Sequence, residues 1–150
     1  MSYGALSKPA VQALSSGAAQ ACCWLNTGEG GLSSYHLEGG KSSAPDFITV
    51  DSAEGGTGAA PMSLMDYMGL PIQESLPLVA DKLLEHDLKD RIKLIASGKL
   101  ITPAEVAWAL CVGADFVVSA RGFMFALGYI QALQCNRNTC PTGITTHNPR

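Results

Sequence analysis

The sequence predicts an α/β fold in which short parallel strands alternate with helices. Three apolar runs, Phe47–Val50, Arg91–Ala96 and Phe116–Ala120, each lead into residues rich in glycine or in small polar side chains. Runs of this length are too short for helices, and glycine allows the backbone to turn sharply after a strand. A stretch compatible with a helix follows each run, and this alternation is typical of parallel sheets with helical crossovers.

The composition indicates a compact protein with a hydrophobic core. The 150 residues are 47% hydrophobic and 15% charged, and the net charge of −3 gives no reason to expect nucleic acid or an anionic membrane as a partner. No segment approaches the roughly 20 apolar residues of a membrane span. The first eight residues lack the pattern of a signal peptide. We therefore expect a cytoplasmic protein.

The cysteines indicate reduced thiols rather than a disulfide framework. There are five of them, an odd number, and no secretion signal accompanies them. Cys22, Cys23 and Cys111 lie among small apolar residues, so we expect them to be buried. The three histidines are dispersed without metal-ligand spacing, and two thiols alone bind zinc poorly, so no metal site is predicted.

Helix signals surround the predicted strands. Near the N-terminus, Ser7 and Pro9 suit the start of a helix that runs from Ala10 to about Cys23. Residues 32–45 are polar and rich in glycine and have no clear period, so we expect little regular structure there.

Two further helices are predicted between the strands. Leu76–His86 carries apolar residues on one face, with Ser75 as its cap and Pro77 in its first turn. Thr102–Glu105 has the pattern of a capping box, with proline at the first helical position, and opens a helix through Leu110.

Two architectures are compatible with this alternation: an open doubly wound sheet and a closed eight-stranded barrel. No Gly-x-Gly-x-x-Gly follows any predicted strand, which disfavours a dinucleotide fold. Barrels bind phosphate at the loops after their last two strands, where Ser97–Gly98 and Arg121–Gly122 would lie. The barrel is therefore favoured, although a full barrel takes about 250 residues and this chain has 150.

Several motifs resemble those of a known family. In chain order they are Met1–Ser7 (MSYGALS), 26–31 (NTGEGG), 54–61 (EGGTGAAP), 97–99 (SGK), 120–123 (ARGF) and 135–143 (CNRNTCPTG). Together they closely resemble the FMN-binding synthase domain of glutamate synthases and of their stand-alone relatives, over nearly the whole chain.

The resemblance implies a fold with a missing middle. The family has a (β/α)8 barrel with FMN at the carboxyl ends of its strands. Here the chain resembles the tail of the first barrel strand, the second strand and the sixth to eighth strands. It thus corresponds to one incomplete barrel domain over residues 1–150, with a junction near residues 38–46. An arc of strands has two unpaired edges, so a homo-oligomer that covers them is expected.

The resemblance also implies a function. The family reduces 2-iminoglutarate, formed from 2-oxoglutarate and ammonia, to L-glutamate. Cofactor contacts fall on Ser2, Tyr3, Gly4, Ala5, Ser97, Gly98, Lys99, Arg121 and Gly122. The first four would face the flavin ring. Ser97, Gly98, Arg121 and Gly122 would bind the phosphate, although the same glycines also suit simple turns after strands. Lys99 would supply charge for the substrate carboxylates, with a solvated lysine as the alternative. The substrate side would be formed by Glu54, Gly55, Gly56, Thr57 and Gly58.

No catalytic side chain is assigned, because hydride transfer from a flavin needs no protein nucleophile. The larger glutamate synthases hold a three-iron cluster on cysteines spaced C-x5-C-x4-C. Cys135 and Cys140 match the last two positions, but Tyr129 occupies the first. A phenol does not replace a soft thiolate, so no iron–sulfur cluster is expected.

Four functional hypotheses remain open at the level of sequence. The chain is an active FMN enzyme that completes its barrel by self-association, a binding-only remnant, an inactive product of a broken gene, or another phosphate-binding barrel of the IMP-dehydrogenase kind. The last conflicts with the Asn-Thr-Cys-Pro motif at residues 138–141. For an active enzyme the electron donor is open: a ferredoxin, a reductase subunit or a nicotinamide.

Overall fold

The structure is a computed structural model, and it describes residues 2–28, 31–40, 45–52, 63, 68–135 and 137–146. The chain divides into two compact units, Met1–Asp46 and Phe47–Arg150. Each unit is described by itself. The longest helix in the described ranges has 14 residues, and none of these helices is long and apolar enough to cross a membrane.

The first unit consists of two helices, α1 (Lys8–Gln20) and α2 (Ser34–Gly40). Ser7 occupies the N-cap of α1 and a proline lies in its first turn, as predicted. The helix ends at Gln20 rather than at Cys23, because the chain turns at Ala21 and Cys22 has a left-handed φ of 51°.

Helix α2 corrects the prediction that residues 32–45 lack regular structure. The hydroxyl of Ser33 lies 2.8 Å from Nδ1 of His36, and the Ser33 N–H donates to the same nitrogen at 3.1 Å. The His36 side chain is buried, and Ser15 of α1 donates from its hydroxyl to the His36 carbonyl at 2.9 Å. A helix this short is stabilised by packing rather than by propensity, and no local periodicity reveals that packing.

The second unit contains a parallel sheet of three strands in the order β1 (Phe47–Asp51), β2 (Lys93–Ser97) and β3 (Phe116–Val118). Val50 lies opposite Ala96, and Ala96 lies opposite Val117. All three predicted strands are therefore present, and the predicted α/β class with parallel pairing is confirmed. In the central strand, Leu94 and Ala96 are fully buried.

Three helices accompany this sheet: α3 (Ile72–Glu85), α4 (Pro103–Val112) and α5 (Ala120–Ala126). Helix α3 starts at Ile72 rather than at Leu76, so Pro77 lies inside it instead of in its first turn. The buried residues of α3 explain the difference, since they continue along one face past the proposed cap: Ile72, Leu76, Ala80 and Leu83.

The predicted capping box opens α4 as expected. The Thr102 hydroxyl accepts a hydrogen bond from the Glu105 N–H at 3.3 Å, and the Glu105 carboxylate accepts from the Thr102 N–H at 2.7 Å. The pKa of Glu105 is lowered by hydrogen bonds to its carboxylate from the Thr102 N–H, the Ile101 N–H and the Thr102 hydroxyl. Gly113, with a φ of 123°, lies at the C-cap.

The prediction that Cys22, Cys23 and Cys111 are buried is wrong, since all three are exposed. Cys22 and Cys23 lie beyond the end of α1. On α4 the buried position belongs to Ala109, and Cys111 lies two residues further on, on the opposite side of the helix.

Candidate functional site

The carboxyl ends of the three parallel strands meet at one edge of the sheet. Each strand is followed within one residue by a serine or ends in one: Ser52, Ser97 and Ser119. The Ser52 N–H donates to the Ser97 carbonyl at 2.9 Å, which continues the β1–β2 ladder beyond β1. In the register of β2 and β3, Ser97 lies opposite Val118. The described residues at these three strand ends are therefore neighbours.

The segment after β2 carries three of the residues predicted to bind the cofactor. Ser97 is half-buried, Gly98 is buried and Lys99 is exposed. Gly98 has a φ of 151° and Lys99 a left-handed φ of 46°. A side chain other than glycine costs about 1 kcal/mol or more in that region. The turn points the Lys99 side chain to solvent and anchors the following residue, Leu100, which is buried.

The segment after β3 is joined to the segment after β2. The Ser119 hydroxyl donates a hydrogen bond to the Leu100 carbonyl. A Cβ atom on Gly122 would lie 2.5 Å from the Ser119 hydroxyl oxygen and 2.9 Å from the Ile101 carbonyl oxygen. Only glycine fits this approach of two backbones. The glycine that the sequence indicates as a phosphate contact thus also has a packing role, and the structure brings Lys99, Arg121 and Gly122 to the same edge of the sheet.

Arg121 lies in the first turn of α5 and is half-buried. Burial and the Cys135 thiol raise the pKa of Tyr129. The positive charge of Arg121 acts in the opposite direction and lowers it. The guanidinium therefore lies within electrostatic range of Tyr129. In this position it adds a fixed positive charge beside the strand ends, the kind of group that binds a phosphate through paired hydrogen bonds.

The predicted flavin-ring contacts, Ser2 to Ala5, belong to the first unit. They form a tight turn in which the Leu6 N–H donates to the Ser2 carbonyl at 3.1 Å. The Tyr3 ring packs edge-on against Tyr35 with a centroid distance of 4.8 Å, and the charge of Tyr35 raises the pKa of Tyr3. Lys8 lies over the same Tyr35 ring at 4.7 Å. The turn at residues 2–6 is therefore packed, through the Tyr3 ring, against Tyr35 of the same unit.

The predicted substrate side, Glu54 to Gly58, lies outside the described residues, as do residues 41–44 of the predicted junction. The positions of these side chains stay predictions from the resemblance.

Two of the three positions that match the cluster cysteines, Tyr129 and Cys135, come close together after α5. The Tyr129 hydroxyl lies 3.8 Å from the Cys135 sulfur, and the charge of Cys140 contributes to the raised pKa of Tyr129. The Thr142 hydroxyl lies 3.3 Å from the Cys140 sulfur. Thr142 was not a candidate from the sequence. Within the described ranges, no group of three or more histidine, cysteine, aspartate or glutamate side chains is arranged to hold a metal ion.

Ser119 and Ile101 were also not predicted to belong to the site. The serine that ends or follows each strand could have indicated Ser119. Ile101 contributes only backbone to the contact with Gly122, so its side chain gave no signal.

Comparison with known proteins decides the family. A family model described as the conserved region in glutamate synthase matches residues 1–44 and 38–150. The chain belongs to the glutamate synthase family. It is 50% identical over 119 residues to the glutamate synthase large subunit-like protein YerD of Bacillus subtilis, and 37% identical over 108 residues to the archaeal glutamate synthase [NADPH] of Methanocaldococcus jannaschii. The resemblance inferred from the motifs is thereby confirmed.

The match covers most of this chain and little of its relatives. The aligned residues are 79% of this chain and 22% of YerD, and 72% of this chain and 21% of the archaeal protein. The glutamate synthase [NADPH] large chain of Bacillus subtilis is 35% identical over 104 residues, which are 7% of its length. The chain thus spans about a fifth of the length of YerD and of the archaeal protein.

Proposed function

We propose that the chain is an FMN-dependent oxidoreductase of the glutamate synthase family, part of a (β/α)8 barrel, that reduces 2-iminoglutarate to L-glutamate. The proposal is based on the contact between the segments that follow β2 and β3 in a member of this family. There the Ser119–Leu100 hydrogen bond and the close approach of Gly122 to Ile101 hold two loops together. Barrels of this kind bind phosphate at such a pair of loops.

The residues at this edge of the sheet have the positive charges and hydrogen-bond donors that a phosphate group requires. Lys99 and Arg121 supply positive charge, and Arg121 has the planar fork that pairs with phosphate oxygens. The half-buried Ser97 hydroxyl and the Gly122 N–H are further donors. Gly98 is buried, so we assign it to the turn that positions Lys99 rather than to a direct phosphate contact. FMN carries one phosphate group, and these residues would hold it.

The chemistry follows from the family and from the groups present. When bound in its reduced form, FMN would supply the hydride for reduction of the imine. The chain's own residues would bind and orient the ligands. Lys99 and Arg121 would bind anionic groups at the strand ends, and Glu54 to Gly58 would line the substrate side. Ser2 to Ala5 would face the flavin ring. A protein nucleophile is not required.

Turnover tests this proposal. The purified chain, saturated with FMN and reduced anaerobically, is mixed with 2-oxoglutarate and ammonia, and L-glutamate is measured by amino-acid analysis. We expect glutamate formation that depends on FMN and on ammonia. The Arg121→Ala variant should lose FMN affinity by roughly tenfold or more, because one charge-assisted contact contributes about 1.5–3 kcal/mol. Arg91→Ala is the matched control, since Arg91 is an exposed arginine before β2, away from the strand ends. Equal FMN affinity of the two variants would contradict the phosphate assignment.

A binding-only protein is the second candidate. It is favoured by the sheet of the second unit, which has three parallel strands in its described part. A full barrel has eight. Stoichiometric FMN binding without glutamate formation would support this candidate over the enzyme.

A second copy of the chain is the proposed partner. β3 is an edge strand in the described sheet, and its Phe116 and Val118 side chains are 58% and 46% exposed. Parallel sheets are otherwise buried, and an exposed apolar edge promotes pairing between chains. Sedimentation should detect a dimer or larger assembly that Val118→Lys weakens and that Leu78→Lys, an exposed residue of α3, leaves intact. A wild-type chain that stays monomeric at high concentration would contradict this partner.

A further inference from the structure

The turn at residues 2–6 presents an open stretch of backbone. The Leu6 N–H donates to the Ser2 carbonyl at 3.1 Å and closes the turn. Gly4 and Ala5 at its tip are exposed, and a Cβ atom added to Gly4 would meet nothing within 4 Å. Gly4 has a φ of 117°, a conformation that favours glycine and leaves this backbone uncovered by a side chain. A planar ring can therefore lie directly against the tip of the turn.

Tyr3 is the aromatic side chain of this turn, and Tyr35 of α2 holds its ring. The two ring centroids are 4.8 Å apart and the ring planes meet at 72°, the edge-to-face arrangement that aromatic pairs prefer. Tyr3 is 45% exposed, so its ring contacts Tyr35 and still presents part of its surface to solvent. Without that contact, an exposed tyrosine on a turn would exchange rapidly between rotamers.

Tyr35 is itself held in place by α1. The Lys8 Nζ lies over the Tyr35 ring, 4.7 Å from its centroid, in a cation–π contact. Tyr35 is half-buried and precedes His36, whose side chain is buried. The Ser15 hydroxyl of α1 donates to the His36 carbonyl at 2.9 Å. The packing of α2 on α1 thus fixes Tyr35, and Tyr35 fixes Tyr3.

We propose that Tyr35 is a positioning residue for the flavin: it holds the Tyr3 ring beside the open turn, where Tyr3 packs against the isoalloxazine ring of FMN. The inference rests on the proposed function, in which Ser2 to Ala5 face the flavin ring. A side chain that is ordered before the ligand binds loses less entropy on binding, so the contact increases FMN affinity. Tyr35 acts through Tyr3 and is assigned no flavin contact of its own.

The contact between the two rings is tested first without flavin. The chain is labelled with isotope-enriched tyrosine, and NMR spectra of the wild type and of the tyrosine variants assign the ring signals. Tyr35→Leu should shift the ring signals of Tyr3, because the ring current of Tyr35 is lost. The signals of Tyr129, whose ring lies 5.6 Å from that of Phe125, should stay in place. Unchanged Tyr3 signals in Tyr35→Leu would overturn the proposal.

The role toward FMN is tested by a double-mutant cycle on the FMN dissociation constant, measured by equilibrium dialysis. Tyr35→Leu should weaken FMN binding roughly two- to tenfold, which is the range that an aromatic pair contributes. Tyr35→Phe keeps the ring and should bind FMN as the wild type does. In the Tyr3→Leu background, Tyr35→Leu should cause no further loss, because Tyr35 acts through Tyr3. Equal losses in both backgrounds would contradict this role, since a general effect on folding does not need Tyr3.

The spectrum of bound FMN separates positioning from a purely structural effect. Its visible absorption bands should move in Tyr35→Leu to the position that they have in Tyr3→Leu. They should stay at the wild-type position in Leu14→Ala, which changes an exposed residue of α1. Bands that move in Tyr3→Leu and stay in Tyr35→Leu would show that Tyr35 does not position the Tyr3 ring.

Lys8→Met is a milder variant, because both aromatic rings remain. It should weaken FMN binding by about two- to fivefold in the wild type and have no effect in Tyr35→Leu. A loss of the same size in Tyr35→Leu would exclude an action of Lys8 through Tyr35. A wild-type chain that binds no FMN would overturn the proposed function and the flavin role of Tyr35 together. FMN binding by the wild type with equal losses in both backgrounds of the cycle would overturn the role of Tyr35 alone.

Discussion

The Ser119 hydroxyl donates a hydrogen bond to the Leu100 carbonyl and thereby joins the segment that follows β3 to the segment that follows β2. The same backbone approach leaves room only for glycine at position 122. This contact holds the two proposed phosphate loops at a fixed separation, so the geometry of the candidate site depends on small residues rather than on a charged cluster.

Gly122→Ala should destabilise the chain. A Cβ atom would lie 2.9 Å from the Ile101 carbonyl oxygen and 2.5 Å from the Ser119 hydroxyl oxygen. The backbone carbonyl cannot move aside cheaply, so we expect a loss of about 1–3 kcal/mol in the free energy of unfolding. Urea titration followed by circular dichroism measures this loss.

Two controls sharpen this prediction. In the Ser119→Ala background, Gly122→Ala should still destabilise, because the contact with Ile101 remains. Gly17→Ala, in the interior of α1, should stabilise by up to about 1 kcal/mol, since nothing lies within 4 Å of the added atom. A stabilising Gly122→Ala would contradict the close approach.

Gly39→Ala should loosen the packing of α2 against α1. The added Cβ would lie 2.5 Å from the Gln12 carbonyl oxygen and 2.8 Å from the Ser15 Cβ. The neighbouring Gly40→Ala is the matched control, since its nearest atom, the Ser15 hydroxyl oxygen, is 3.8 Å away. Limited proteolysis in the first unit should be several-fold faster for Gly39→Ala than for Gly40→Ala. Equal rates would show that the two helices do not pack as described.

The strands and the capped helix were predictable because local chemistry specifies them. Thr102 and Glu105 carry the complete capping box, and the apolar runs of β1, β2 and β3 are bounded by glycine or small polar residues. The start of α3 was missed because the decisive signal is tertiary. Ile72 is buried, and this burial extends the helix past a serine that resembles a cap. Helix α2 was missed for the same reason, since its contacts with Ser15 lie far away in sequence.

Asp115 should make the free energy of unfolding depend on pH in the acidic range. Burial raises the pKa of Asp115, but hydrogen bonds from the Lys89 side chain, from the Leu94 N–H and from Lys93 outweigh it and lower the pKa from 3.8 to about 2. The Lys89 nitrogen lies 2.7 Å from one carboxylate oxygen. Because folding lowers the pKa of Asp115, its contribution to the free energy of unfolding is complete above the pKa that it has in the unfolded chain. It is lost as the pH falls from about 4 through about 2.

The Asp115→Asn variant checks this pH window. At neutral pH it should be less stable than the wild type by about 2 kcal/mol, and this difference should shrink as the pH falls from about 4 to about 2. Asp81→Asn, an exposed residue of α3, should leave the pH dependence unchanged. A constant difference between Asp115→Asn and the wild type at every pH would show that the carboxylate is not ionised in this network.

Tyr129→Cys should create the missing cluster ligand. The variant restores the C-x5-C-x4-C spacing of the larger glutamate synthases. After anaerobic reconstitution with iron and sulfide, we expect the variant to bind iron and the wild type to bind none, because three soft thiolates are then available. Tyr129→Cys with Cys140→Ser is the control and should lose the iron. Iron binding by the wild type would contradict the role assigned to Tyr129.

The candidate site was predictable only in part. Residues that provide side-chain charge or glycine turns, such as Arg121 and Gly98, stand out in the sequence. The contacts that fix their positions involve backbone atoms of Leu100 and Ile101, whose side chains carry no such signal. The Thr142–Cys140 contact was also hidden, because it depends on how a turn folds back.

The central claim is that the strand-end loops of this short chain still form a flavin site. The most direct test is the absorption spectrum of the purified protein, recorded with its size-exclusion elution after incubation with FMN. The account predicts a yellow protein that retains about one FMN per chain and elutes as a dimer or larger. A colourless protein that does not take up FMN would contradict it.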